Sequence, residues 1–188
     1  MVSHFAEQKI LPVAKNVKDF ETLMYSEYTY IILLETHIAQ LPSLMKLAKQ
    51  NQKKVLLHVD LVQGLKSDEY AAEYLCQIVK PDGLISTRAP VVRIAKKRKK
   101  IAIQRVFLLD THALETSYRV IDSTQPDYIE ILPGVVPPTI IKEVHQHSSV
   151  PILAGGLIRT HTEVQDALKA GALAVTTSEK KLWNRKIN

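Results

Sequence analysis

Short apolar runs of strand length recur along the chain, each followed by a segment whose apolar residues return at helical spacing. The runs are Ile10–Ala14, Tyr30–Glu35, Val55–Asp60, Gly83–Thr87, Ala102–Leu109, Tyr128–Leu132, Pro151–Ala154 and Ala174–Thr177. Their apolar positions are nearly continuous rather than alternating, as expected of parallel strands covered on both faces. A repeat of roughly 20–30 residues accommodates a strand, a short loop and a helix.

The intervening segments carry helix signals. Leu41, Leu44, Met45, Leu47 and Ala48 share one face, as do Tyr70, Tyr74 and Ile78. Thr160-His161-Thr162-Glu163 has the capping-box pattern. Ser67 precedes Asp68 and Glu69, acids suited to a first turn, and Asp110 can cap the helix after the fifth run. Pro137 and Pro138 suit a helix start, and Gly171 a helix end. Eight such units predict a small (β/α)8 barrel of the TIM type, one domain over residues 1–188, with one or two curtailed helices. A doubly wound open sheet of five or six strands is the alternative, but no G-x-G-x-x-G or P-loop fingerprint supports it.

Composition narrows the class. With 188 residues, 46% hydrophobic and 23% charged, the chain is neither a disordered tail nor a fibre. No apolar stretch is long enough for a bilayer span, so no membrane partner is expected. Met1–Leu11 contains His4, Glu7 and Lys9 and does not read as a signal peptide. Cys76 is the single cysteine, which excludes an internal disulfide or a cysteine-based metal site. These features predict a cytoplasmic protein.

The charge is unevenly placed. Arg88, Arg93, Lys96, Lys97, Arg98, Lys99 and Lys100 together exceed the whole net charge of +6, so the rest of the chain is near neutral. The block reads either as a solvated helix face or as a contact for phosphate backbone. It lacks interleaved aromatics and does not predict base stacking.

In a barrel of this type, function lies at the carboxyl ends of the strands. Glu35, His58, Asp60, Ser86-Thr87-Arg88, Asp110, Glu130, Pro133-Gly134, Gly155-Gly156 and Thr176-Thr177-Ser178 gather there. The loops after strands seven and eight commonly hold phosphate, and glycines let backbone N–H groups approach an oxyanion. Gly155, Gly156, Thr177 and Ser178 are therefore candidate phosphate ligands. The plainer reading is a tight turn and a helix cap. Glu35, His58 and Asp60 could form an acid–base set. They could equally bind ligand hydroxyls, hold a divalent cation, or pair with Arg88 or Arg105. Glu130 lies one strand before the phosphate loops, convenient for a hydroxyl beside a phosphate. His145 and His147 read as solvated, and His112 and His161 as first-turn residues. His37 reads as a cap or a pocket residue, Cys76 as core, and Trp183 as closing the last helix against the barrel.

Several ordered motifs resemble one family. They are Leu33-Leu34-Glu35-Thr36-His37, Leu57-His58-Val59-Asp60-Leu61 with Gly64-Leu65-Lys66, Asp82–Arg88 and Ile103-Gln104-Arg105. Ile129–Gly134, Pro151–Ile158 and Ala174–Ser178 with Leu182-Trp183 follow. From about Ile10 to Trp183 the chain is similar to the glycerol-3-phosphate-responsive antiterminators, regulators of the glycerol uptake operon. That resemblance implies a bacterial regulator that binds glycerol 3-phosphate, acts on leader mRNA of glycerol-utilisation genes, and prevents premature termination. It implies a barrel without known catalysis, with glycerol 3-phosphate as its effector; no cofactor is expected beyond that effector, and no residue is assigned as a metal ligand.

On that reading Gly155, Gly156, Thr177 and Ser178 take the phosphate. Glu35, Asp60, Arg88 and Glu130 serve the glycerol end or a pocket ion pair. Arg93, Lys96, Lys97, Arg98, Lys99 and Lys100 contact RNA phosphates. Two alternatives stay open. One is a barrel enzyme acting on a small phosphorylated substrate such as a glycerophosphodiester, with His58, Asp60 and Glu130 as acid–base groups. Against it stand the lack of a carboxylate-rich metal motif and, on this reading, of a lysine at a strand end. The other is a phosphometabolite sensor with a protein partner.

Overall fold

Eight parallel strands close on themselves in sequence order, each pairing with its neighbours and the last with the first. They are β1 (Ile10–Ala14), β2 (Tyr30–Leu33), β3 (Lys54–His58), β4 (Gly83–Ser86), β5 (Ile101–Phe107), β6 (Tyr128–Leu132), β7 (Ile152–Gly155) and β8 (Ala174–Thr177). The computed structural model describes His4, Phe5 and residues 7–183. Every apolar run of the sequence is one of these strands. The second to fifth runs stop earlier than expected, at Leu33, His58, Ser86 and Phe107, because the residues that follow leave the sheet for the connecting loops. The two-residue segments Thr36–His37 and Val62–Gln63 pair separately beyond β2 and β3.

Helices α1 (Val17–Met24), α2 (Leu41–Gln50), α3 (Glu69–Tyr74), α4 (Ala89–Lys97), α5 (Thr111–Thr124), α6 (Pro138–His147) and α7 (His161–Lys169) return the chain between strands. Leu75–Val79 continues α3 as a wider turn. The caps follow the expected chemistry with one shift. Asp68, not Ser67, caps α3, its carboxylate accepting from the Ala71 N–H at 3.0 Å. Asp110 does the same for Ala113 at 2.7 Å. Thr160 and Glu163 form the reciprocal capping box of α7. Gly171 follows that helix at φ +111°, a conformation that favours glycine. The eighth unit is curtailed to a 3₁₀ turn, Lys180–Leu182, and the Trp183 indole N–H donates to the Thr177 carbonyl at 3.0 Å.

Alternation along each strand divides the core. Leu11, Ile32, Leu56, Ile85, Ile103 and Leu153 point inward and fill the barrel. Phe5 is fully buried at the amino end, with ring centroids 4.9 Å from Tyr30 and 4.5 Å from Tyr128. The outward residues, among them Leu57, Leu84, Ile129 and Val175, pack against the helices. Each such buried aliphatic side chain contributes about 1.5–3 kcal/mol relative to exposure. Strand direction then defines two poles. Loops leaving the strands form the carboxyl pole, and loops returning from the helices form the amino pole.

Candidate functional site

Inward alternation carried one step past the core brings a polar layer to the carboxyl pole. Val13 leads to Lys15, Leu56 to His58, Ile103 to Arg105, Tyr128 to Glu130, and Ala174 to Thr176 and Ser178. A cavity of about 290 Å³ opens there. Its polar walls are Lys15, Arg105, Glu130, Arg159, Thr176, Thr177, Ser178 and Glu179, and Val13, Leu34, Leu132, Gly156, Leu157 and Ile158 complete it.

The floor is a buried charge network. Arg105 Nε donates to Glu130 Oε2 at 2.7 Å, and Thr176 Oγ1 donates to Glu130 Oε1, also at 2.7 Å. The terminal nitrogens of Arg105 make no hydrogen bond to the described residues, although only 9% of the side chain is exposed. Gly155 sits under this network. A Cβ there would collide with the Thr176 hydroxyl and come within 2.9 Å of Glu130 Oε1. Its lack of a side chain makes room for the carboxylate.

The rim is braced by the same loops. The Gly134 N–H donates to the Gly155 carbonyl and, at 3.0 Å, to that of Gly156. Thr177 Oγ1 donates to the Ile158 carbonyl at 2.9 Å and accepts from the Glu179 N–H at 3.1 Å, which ties the loop after β7 to the loop after β8. Gly156 and Leu157 both have positive φ, +76° and +61°. For leucine that conformation is strained, and such strain gathers at functional sites.

His58 is 3% exposed, and neither ring nitrogen has a hydrogen-bond partner among the described residues. Burial, and then the positive charge of Arg105, push its pKa down to about 4, against smaller opposing effects of Asp60 and Glu130. The imidazole is therefore neutral near pH 7.

The sequence-derived residues divide. Gly156, Thr177, Ser178 and Glu130 line the cavity, and Gly155 supports it from below. Asp60 lies apart from these walls: it accepts from the Thr87 N–H at 2.7 Å, from Thr87 Oγ1 at 2.8 Å, and from Ser86 Oγ. Arg88 is exposed at the start of α4, and Glu35 is exposed after β2. Neither lines this cavity. Among the described residues no group of three or more His, Cys, Asp or Glu could hold a metal ion.

Lys15, Arg159, Thr176 and Glu179 join the site beyond the residues that strand-end position suggests as ligands. Lys15 is legible from parity, two residues beyond the inward Val13. It also corrects the expectation that no lysine stands at a strand end, since it directly follows β1 and lines the cavity.

The basic block sits elsewhere. Arg93, Lys96 and Lys97 lie on α4, and Arg98, Lys99 and Lys100 lead into β5 at the amino pole. Among the described residues no helix is long and apolar enough to cross a membrane.

Residues 10–183 match the family model described as glycerol-3-phosphate responsive antiterminator. The crystal structure of a glycerol uptake operon antiterminator regulatory protein from Listeria monocytogenes is 45% identical, with a TM-score of 0.96 over 99% of this chain and 100% of that one. A glycerol uptake operon antiterminator-related protein from Thermotoga maritima is 27% identical, with a TM-score of 0.82 over 94% and 98% of the two chains. The uncharacterized protein YgcP of Escherichia coli is 30% identical over 175 residues, which cover 92% of this chain and 91% of YgcP.

Proposed function

Because the chain belongs to the glycerol-3-phosphate responsive antiterminator family, we propose that it binds glycerol 3-phosphate in the cavity at the carboxyl pole. So occupied, it acts in the cytoplasm on leader mRNA of glycerol-utilisation genes to prevent premature termination. It does so as a regulator, without catalysis.

The observation that carries the ligand half is the state of Arg105. Glu130 pins its Nε, while both terminal nitrogens are left without a partner among the described residues, and Arg105 lines the cavity. A guanidinium held in this way is a preorganised donor for an oxyanion. Lys15 and Arg159 add positive charge to the same wall, and Gly156 and Ser178 line it as well. Glu130 and Thr176 are the groups suited to glycerol hydroxyls, since a carboxylate has acceptor sites left after two hydrogen bonds.

Regulation requires a difference in affinity. Glycerol 3-phosphate must bind the RNA-competent state of the protein more tightly than the other state, or it shifts nothing. Titration calorimetry with glycerol 3-phosphate, glycerol and inorganic phosphate tests the ligand half. The reading expects the phosphorylated polyol to bind far more tightly than either fragment. Equal affinity for glycerol, or no binding of glycerol 3-phosphate, would sink it.

A further inference from the structure

At the amino pole two loops run side by side. One enters β4 and carries Lys80; the other enters β5 and carries Arg98-Lys99-Lys100. Gly83 pairs with Ile101, and the Ile101 N–H donates to the Asp82 carbonyl at 3.0 Å, so the loops are about 5 Å apart where they join the sheet. Lys80 and Lys99 both adopt the left-handed conformation, at φ 59° and 56°. The α3 segment packs on α4, bringing Glu73 to Arg98 and Cys76 within electrostatic reach of Lys100.

The cations of this region are not equivalent. Lys96 is ion-paired with Asp127. Arg98 engages both oxygens of Glu73. Lys80, Arg93, Lys97, Lys99 and Lys100 have no ion-pair partner among the described residues, and all but the half-buried Lys100 are exposed. A cation already paired with an acid adds little to the neutralisation of RNA phosphate, whereas an unpaired exposed one displaces condensed counterions from the RNA on contact.

We propose that Lys80, Arg93, Lys97, Lys99 and Lys100 form the phosphate-binding face for leader RNA, at the pole opposite the ligand cavity. The proposal rests on the antiterminator reading and deepens it. Lys80 enters the interface from a different loop, while Lys96 and Arg98 are held out of it by their acids. RNA at this face does not touch the ligand. The strand β5 separates them, with Lys100 at its foot and Arg105 at the mouth, five residues or about 17 Å of extended chain away. The effect of the ligand on RNA is therefore conformational.

The test is RNA binding across a salt series with saturating glycerol 3-phosphate. Lys80, Lys97, Lys99 and Lys100 are changed together to Gln, a residue that already occupies the left-handed conformation here at Gln52 and Gln125. Affinity for leader RNA should fall at least about ten-fold, and the slope of log K against log salt should flatten by roughly 0.7–0.9 for each RNA phosphate that is no longer neutralised. Calorimetric binding of glycerol 3-phosphate should not change. A control with the exposed outer-helix residues Lys18, Lys46, Lys49 and Lys142 changed to Gln should bind RNA nearly as the parent does. Glu73→Gln, which frees Arg98, should tighten RNA binding and steepen the slope by about the share of a single phosphate. An unaltered quadruple variant, an equal weakening in the control, or no gain from Glu73→Gln would overturn this assignment. Failure of the parent protein to bind leader RNA at all would instead overturn the antiterminator reading beneath it.

Discussion

Arg105 and Glu130 face each other across neighbouring strands inside the barrel, 2.7 Å apart, with 9% and 1% of their side chains exposed. Because Glu130 also accepts from Thr176, three strands meet in one polar knot at the base of the cavity. Removing one partner leaves the other buried and uncompensated, at a cost of about 3–5 kcal/mol. Glu130→Ala should lose stability of that order in urea denaturation. Glu130→Gln, which keeps an acceptor for Thr176, should lose less. Equal losses for the two variants would contradict the network as described.

Gly155 makes the network fit. Gly155→Ala should place its methyl against the Thr176 hydroxyl and Glu130, displacing the carboxylate. Overpacking of this kind costs about 1–3 kcal/mol. Denaturation should show that loss together with weakened binding of glycerol 3-phosphate. A variant with parental stability and affinity would mean that the clash is relieved freely.

His58 gives the fold a pH signature. Its folded pKa of about 4 lies below the ordinary 6.5, so the unfolded chain binds a proton first as pH falls. The contribution is fully present above pH 6.5 and is lost as pH drops toward 4, on the order of 3 kcal/mol in all. Urea denaturation of the parent and His58→Leu at pH 7, 6 and 5 should show a shallower decline in the variant. Parallel declines would remove His58 as the cause.

Lys15 and Arg159 supply positive charge to the cavity wall from outside the buried network. A charge-assisted hydrogen bond contributes about 1.5–3 kcal/mol. Lys15→Ala should therefore weaken glycerol 3-phosphate by about ten-fold or more in calorimetry, with little effect on stability, because the residue is exposed. An unchanged dissociation constant would remove Lys15 from the ligand site.

The barrel is legible in the sequence because its strands are continuous apolar runs with punctuated starts. Each of the eight runs is a strand, and the caps at Asp110 and Thr160 form as their chemistry suggests. The site is legible only in part. Residues after strands seven and eight can be picked from topology, and Gly156, Thr177 and Ser178 do meet around one cavity. Glu35 and Asp60 read the same way from position, yet Glu35 is exposed and Asp60 commits its oxygens to Ser86 and Thr87. Position at a strand end does not by itself give the side chain's direction; inward two-residue parity picks out Lys15, Arg105 and Thr176, but it would also take in Asp60, which lies beyond the end of β3. The basic run misleads differently. Its charge is plain in the sequence, but the acids that neutralise Lys96 and Arg98 come from α3 and from the loop before β6. Only the folded arrangement brings them together.

The central claim is that glycerol 3-phosphate and leader RNA bind one protein cooperatively, from opposite poles. Leader-RNA affinity at fixed salt, measured with and without saturating glycerol 3-phosphate, tests it most directly. The account predicts tighter RNA binding with the ligand, by about 5–150-fold as typical coupling energies give. The same RNA affinity in both conditions, with the ligand demonstrably bound, would contradict it.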